Sequence, residues 1–176
     1  MKKLSFLLLI FVTISGLADE TYAQKSWVTK KLDDRISVKF PEEPNKVTKS
    51  GIDSYTLKAK DSTSFSSAIV DFKVIAGLDS ATLAPIKDTK EFADQMKDGI
   101  AAQKTNYTFS DVVIGSWKNY TTYSITGSDN SNKKKLSTYM VLIGSKMYTL
   151  SCLIPEELDS KNSELFFDSI ALINKS

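Results

Sequence analysis

Apolar residues in this chain recur with a period of two along most of its length and with a helical period in one long stretch, and that pattern limits the fold more than any single motif. In Ile36-Ser37-Val38-Lys39-Phe40 the alternation is strict, placing Ile36, Val38 and Phe40 on one face of a strand that Pro41 and Pro44 end. The run 55–60 turns Tyr55, Leu57 and Ala59 inward, and 66–76 repeats the period with Ala68, Val70, Phe72 and Val74. The runs 109–114, 117–127, 136–143 and 147–154 read as further strands, the last two joined by a short hairpin at Gly144-Ser145-Lys146.

The period changes after Asp88. Asp88 followed by Glu91 has the form of a capping box, and Phe92, Ala93, Met96 and Ile100 then recur at helical spacing to about Lys104. Pro155 opens a second helical segment with Leu158, Leu165, Phe166 and Ser169 on one side. Strands outnumber helices by about seven to two and connections are of hairpin length, which favours an antiparallel sheet carrying helices over a doubly wound parallel one. The expected class is α+β.

The start of the chain concerns destination. Lys2 and Lys3 precede an apolar run over 4–17 that ends near Thr21-Tyr22-Ala23, the pattern of a secretory signal peptide of bacterial type. The run is interrupted by Thr13, Ser15 and Gly16 and is shorter than the roughly 20 apolar residues a spanning helix needs. Cleavage is expected after Ala23, leaving Gln24 first. Gln24 is not the cysteine that lipid anchoring would require, so 24–176 reads as one soluble domain, secreted or periplasmic, with no membrane span after signal removal.

Composition removes several chemistries. With no histidine, the usual general base, the usual partner of Ser and Cys nucleophiles and a common zinc ligand are all missing. The seven glycines are too scattered for a phosphate-cradling loop. A net charge of +2, with Lys133 to Lys135 the only dense basic run, gives no nucleic-acid footprint. The single cysteine, Cys152, lies in an apolar stretch and reads as a buried hydrophobe.

Ser128-Asp129-Asn130 and Ser131-Asn132-Lys133-Lys134 match two motifs of penicillin-binding proteins, but they overlap in one polar loop and no Lys-Thr-Gly follows, so they read as a turn. The adjacent acids Asp33-Asp34, Glu42-Glu43 and Glu156-Glu157 are the material for carboxylate catalysis, yet neighbours on a strand point to opposite faces, and acids at a helix start suit its dipole. No catalytic, cofactor-binding or metal-binding residue is assigned. In the segment 117–123, alternation puts Trp117 and Tyr123 on one face with Ile125, and Lys118 and Tyr120 on the other, which makes Tyr120 a possible ligand contact.

Three segments carry a family resemblance. These are Ile36-Ser37-Val38-Lys39-Phe40-Pro41-Glu42-Glu43-Pro44, the hairpin Ile143-Gly144-Ser145-Lys146-Met147-Tyr148-Thr149-Leu150 and the closing Phe166-Phe167-Asp168-Ser169-Ile170. Together and in this order they resemble the PsbP-like proteins, a family named for an extrinsic photosystem II subunit and sharing its fold with a Ran-binding nuclear-import factor. The resemblance implies an α-β-α sandwich around a central antiparallel sheet of about six to seven strands with helices packed on it. It carries over no functional residue of either relative. The expected function is an exported, non-catalytic binding or accessory module of the cell envelope, with an unidentified protein or glycan partner. The alternatives are a small carboxylate-dependent hydrolase acting on glycan or envelope substrate, or a structural subunit of an envelope assembly.

Overall fold

A computed structural model describes residues 27–49, 52–129, 131–158 and 161–173. The signal segment, with Ala23 and Gln24, lies outside the described residues. Among those described, no helix is long and apolar enough to cross a membrane.

The chain runs β1 (Val28–Lys31), β2 (Ile36–Phe40), β3 (Asn45–Lys49), β4 (Ile52–Lys58), β5 (Ser64–Asp71), α1 (Phe72–Ala76), α2 (Ser80–Leu83) and α3 (Lys90–Gln103). It continues through β6 (Tyr107–Phe109), β7 (Val113–Trp117), β8 (Tyr120–Asp129), β9 (Lys134–Ile143), β10 (Lys146–Pro155), α4 (Lys161–Asp168) and β11 (Ala171–Leu172). Eight strands form one sheet in the order β3-β4-β5-β10-β9-β8-β6, with β7 paired to β8 beyond β6 along the same edge. A second sheet has the order β1-β2-β11, and the pairings in both sheets are antiparallel. The fold is thus a sheet-rich α+β arrangement, and the large sheet has one strand more than the upper end of the sequence expectation.

Alternation puts a separate core on each face of the large sheet. On the first face Leu57, Phe65, Val141, Tyr148, Leu150 and Cys152 meet Ile36, Val38 and Phe40 of the small sheet and Phe166 of α4. The Phe166 ring sits 5.1 Å from Phe40 and 5.2 Å from Phe65. On the second face Tyr123, Ile125, Met140, Leu142 and Met147 meet Leu83 of α2 and Phe92 and Ala93 of α3. The first face is therefore covered by a small sheet and a helix together.

Local chemistry moved several expected elements. The strand read over 66–76 stops at Asp71, whose carboxylate accepts from the Lys73 N–H and caps α1, while Gly77 closes α1 at φ 69°. Val74, expected inward, is 80% exposed. Trp117 and Tyr123 do not share a face, because Lys118 adopts φ 55° and Lys118-Asn119 make a hairpin that pairs Trp117 with Tyr120. The N-cap of α3 is Thr89, not Asp88; its hydroxyl accepts from Phe92 N–H at 3.3 Å. Pro155 ends β10 instead of opening a helix, and in α4 Phe166 is buried while Leu165 is 46% exposed. The run 109–114 spans the break between β6 and β7.

A candidate ligand groove on the helix face of the large sheet

The second face is only partly covered. α3 runs along the strands, from Phe92 beside Tyr123 to Lys104 beside Leu136 and Leu153, and a helix with its side chains is only about 10 Å wide. Seven strands side by side span about 29 Å. The buried residues of α3 pack over β8, β9 and the start of β10, and the remaining sheet lies open beside its last turns.

There the alternate residues of three adjacent strands form a floor: Ser64, Ser66 and Ala68 of β5, Thr149 and Ser151 of β10, and Leu136 and Thr138 of β9. Register places Ser66 opposite Ser151 and Ser151 opposite Thr138, so a row of hydroxyls crosses three strands. The Thr138 and Ser151 hydroxyls hydrogen-bond each other at 3.0 Å. Ile52, Val70, Met140 and Leu153 extend the apolar lining, and Ile100, Gln103 and Lys104 of the α3 terminus form the wall. The groove encloses about 490 Å³, within the range of small-molecule sites. Lys104 is its one ionisable side chain among the described residues.

Gln103, Lys104 and Leu153 also line an adjoining mouth of about 310 Å³ with Asn106, Tyr107, Asp129, Asn132 and Lys134. Asp129 accepts from the Asn132 side chain at 2.8 Å and from the Ser131 and Asn132 N–H groups at 2.9 and 3.2 Å. The Asn132 amide, then those N–H groups and the Lys134 charge, hold its carboxyl below the usual 3.8 against the opposing effect of burial. Burial and the charge of Asp129 push the Tyr107 hydroxyl up from 10.0. Lys104 Nζ lies 5.8 Å from the Tyr107 ring centre, a cation–π contact.

Elsewhere polar clusters brace the fold. Lys87 pairs with Asp88 and donates to Thr121 Oγ1 at 2.8 Å, Thr121 donates to Asp88 at 2.7 Å, and the Tyr123 hydroxyl donates to the Lys87 carbonyl. The Thr121 hydroxyl is thus committed to a carboxylate. Tyr120 is half-buried against the first core, its ring 6.3 Å from Trp117, and lines a pit of about 110 Å³ with Lys87 and Asn119 that shares no residue with the groove. Of the adjacent acids, Asp33 bonds Lys146 and Tyr148, Glu43 pairs with Lys30, and Glu156 and Glu157 occupy the exposed turn after β10. Cys152 is buried, and burial, then the charge of Asp61, pushes its thiol up to about 12.

The groove was not among the sequence expectations, because small hydroxylated residues at alternate strand positions form no ligand motif. The legible signal was that Ser64, Ser66, Thr138, Thr149 and Ser151 recur at alternate positions in three strands that pair, in β5 on the same face as Ala68 and Val70.

No protein-family model matches the chain, and no curated protein does. Among solved structures it is similar to cyanobacterial PsbP (CyanoP) from Synechocystis sp. PCC 6803, with a TM-score of 0.59 and 12% identity over 85% of this chain and 94% of that one. A structure from Bacteroides thetaiotaomicron VPI-5482 matches with a TM-score of 0.49 and 10% identity over 86% of this chain and 50% of that one. At 12% identity the likeness to the cyanobacterial protein is one of fold, and the fold of this chain is PsbP-like.

Proposed function

We propose that the chain is an exported, non-catalytic binding or accessory module of the cell envelope, secreted or periplasmic, and that the groove beside α3 is its ligand site. The observation that carries this reading is the groove itself: about 490 Å³ of largely aliphatic lining over a floor of small side chains, with a single cation at its edge. Hydroxyls and one ammonium can hold a ligand, whereas two-carboxylate hydrolysis needs a second acid beside the one, Asp129, that lines the mouth among the described residues. The hydrolase reading is accordingly the weaker one. The subunit reading draws on Val74 and Ile75 of α1, which are 80% and 58% exposed.

Native mass spectrometry of the protein recovered from the envelope of its own host tests the binding reading. A chain beginning at Gln24 with a bound small molecule is expected, and Ala68→Trp, which fills the floor, removes the extra mass. The same extra mass over the polypeptide with and without the substitution, no extra mass in the native protein, or a chain retained in the cytoplasm with 1–23 intact, contradicts it. A stoichiometric protein partner lost in Val74→Asp favours the subunit reading.

A further inference from the structure

We propose that the groove takes a single-chain amphiphile, its alkyl chain along the floor and its anionic head at Lys104; this rests on the groove being the ligand site. The apolar walls are aliphatic: Val70, Ile100, Leu136, Met140 and Leu153. The described lining contains no aromatic ring on which a sugar or nucleobase could stack, whereas aliphatic walls gain by burying an alkyl chain of matching shape. At the floor, Ser66 and Ala68 of β5 leave the space that larger side chains would close. The hydroxyls there can turn toward one another, as Thr138 and Ser151 do at 3.0 Å, so a chain can lie over the row while the hydroxyls keep partners.

The head group follows from charge. Lys104 has no carboxylate partner among the described residues, and its ammonium stands over the Tyr107 ring where groove and mouth join. Asp129 of the mouth is already held by Asn132 and faces Lys134 across the β8–β9 pair. Lys104 and Lys134 against Asp129 leave the mouth net positive, the complement of a carboxylate on the chain end.

Isothermal titration of the exported protein separates chain from head. The probes are decanoate and decyltrimethylammonium below their micelle thresholds, acetate, and maltopentaose. Decanoate is expected to bind about tenfold or more tightly than the cationic amphiphile, a discrimination equivalent to about 1.4 kcal/mol. Acetate and the saccharide are expected not to bind. Lys104→Met brings the two amphiphiles to equal affinity, and Ala68→Leu weakens both. Ser66→Val, a smaller filling of the same floor, repeats the second comparison if Ala68→Leu does not fold. Equal affinity for the two amphiphiles in the unsubstituted protein overturns the proposal, as does binding of maltopentaose alone or of none of the four. The groove as ligand site stands or falls separately, on whether the bound mass seen in the native protein is lost in Ala68→Trp.

Discussion

Asp33, in the turn between β1 and β2, ties the small sheet to the large one. Its Oδ1 accepts from the N–H groups of Arg35 and Ile36 at 2.8 and 3.1 Å, and its Oδ2 from Lys146 Nζ at 3.0 Å and the Tyr148 hydroxyl at 2.7 Å. Burial alone would raise the carboxyl; the bonds from Tyr148, the Arg35 N–H, Lys146 and the Ile36 N–H outweigh it and hold it below 3.8. Asp33→Ala leaves the fully buried Tyr148 hydroxyl without its partner and is expected to cost about 1–3 kcal/mol at pH 7 in urea unfolding. Because the folded carboxyl is lowered, its stabilisation is complete above the unfolded value near 3.8 and is lost as the pH falls through the lower folded value. The gap between Asp33→Ala and the native protein therefore narrows in acid, and a gap that widens there contradicts the assignment. Sequence alone offered Asp33-Asp34 as a pair of acids; it could not place Tyr148, 115 positions away, against one of them.

At the scale of elements, α3 is set by Thr89. Its hydroxyl accepts from the Phe92 N–H and donates to the Ile86 carbonyl at 2.7 Å, fixing both the first turn and the loop before it. Thr89→Ala is expected to cost about 1 kcal/mol. A midpoint in thermal or urea unfolding that does not move would return the cap to Asp88, whose carboxylate instead serves Thr121 and Lys87. The strands legible in the sequence are those with a buried face over five or more residues, such as β2, β9 and β10. Missed were β1, β3 and β11, which are short and form sheet edges, where the apolar alternation fades. In α1 the β-branched Val74 and Ile75 imitated a strand, although Asp71 and Gly77 at its two ends already had the residue types of helix caps. The hairpin at Lys118-Asn119 escaped because a lysine takes the positive φ that glycine or asparagine usually signals.

At the scale of the whole molecule, the small sheet and α4 seal one face of the large sheet while α2 and α3 cover part of the other. The resemblance carried by β2, the β9–β10 hairpin and the end of α4 gave the PsbP-like fold and an antiparallel sheet carrying helices, though not the eighth strand or the three-stranded sheet that shares the first face with α4; Val38, Phe40, Tyr148, Leu150 and Phe166 of those segments all lie in the first core. The groove arises because α2 and α3 cover only part of the second face and leave β5 and the far ends of β9 and β10 open, a property of assembled elements that no segment carries by itself. Tyr120, the one exposed aromatic contact expected from sequence, belongs to the sealed side, where it packs beside Trp117. The two places thus make opposite claims about where a ligand sits. Backbone amide shift mapping with the small molecule released from the host-exported protein decides between them. The account predicts shifts concentrated in β5, β9, β10 and the last turn of α3, around Ser66, Thr138, Ser151 and Lys104; shifts clustered instead around Trp117 and Tyr120, with the groove residues unmoved, would contradict it.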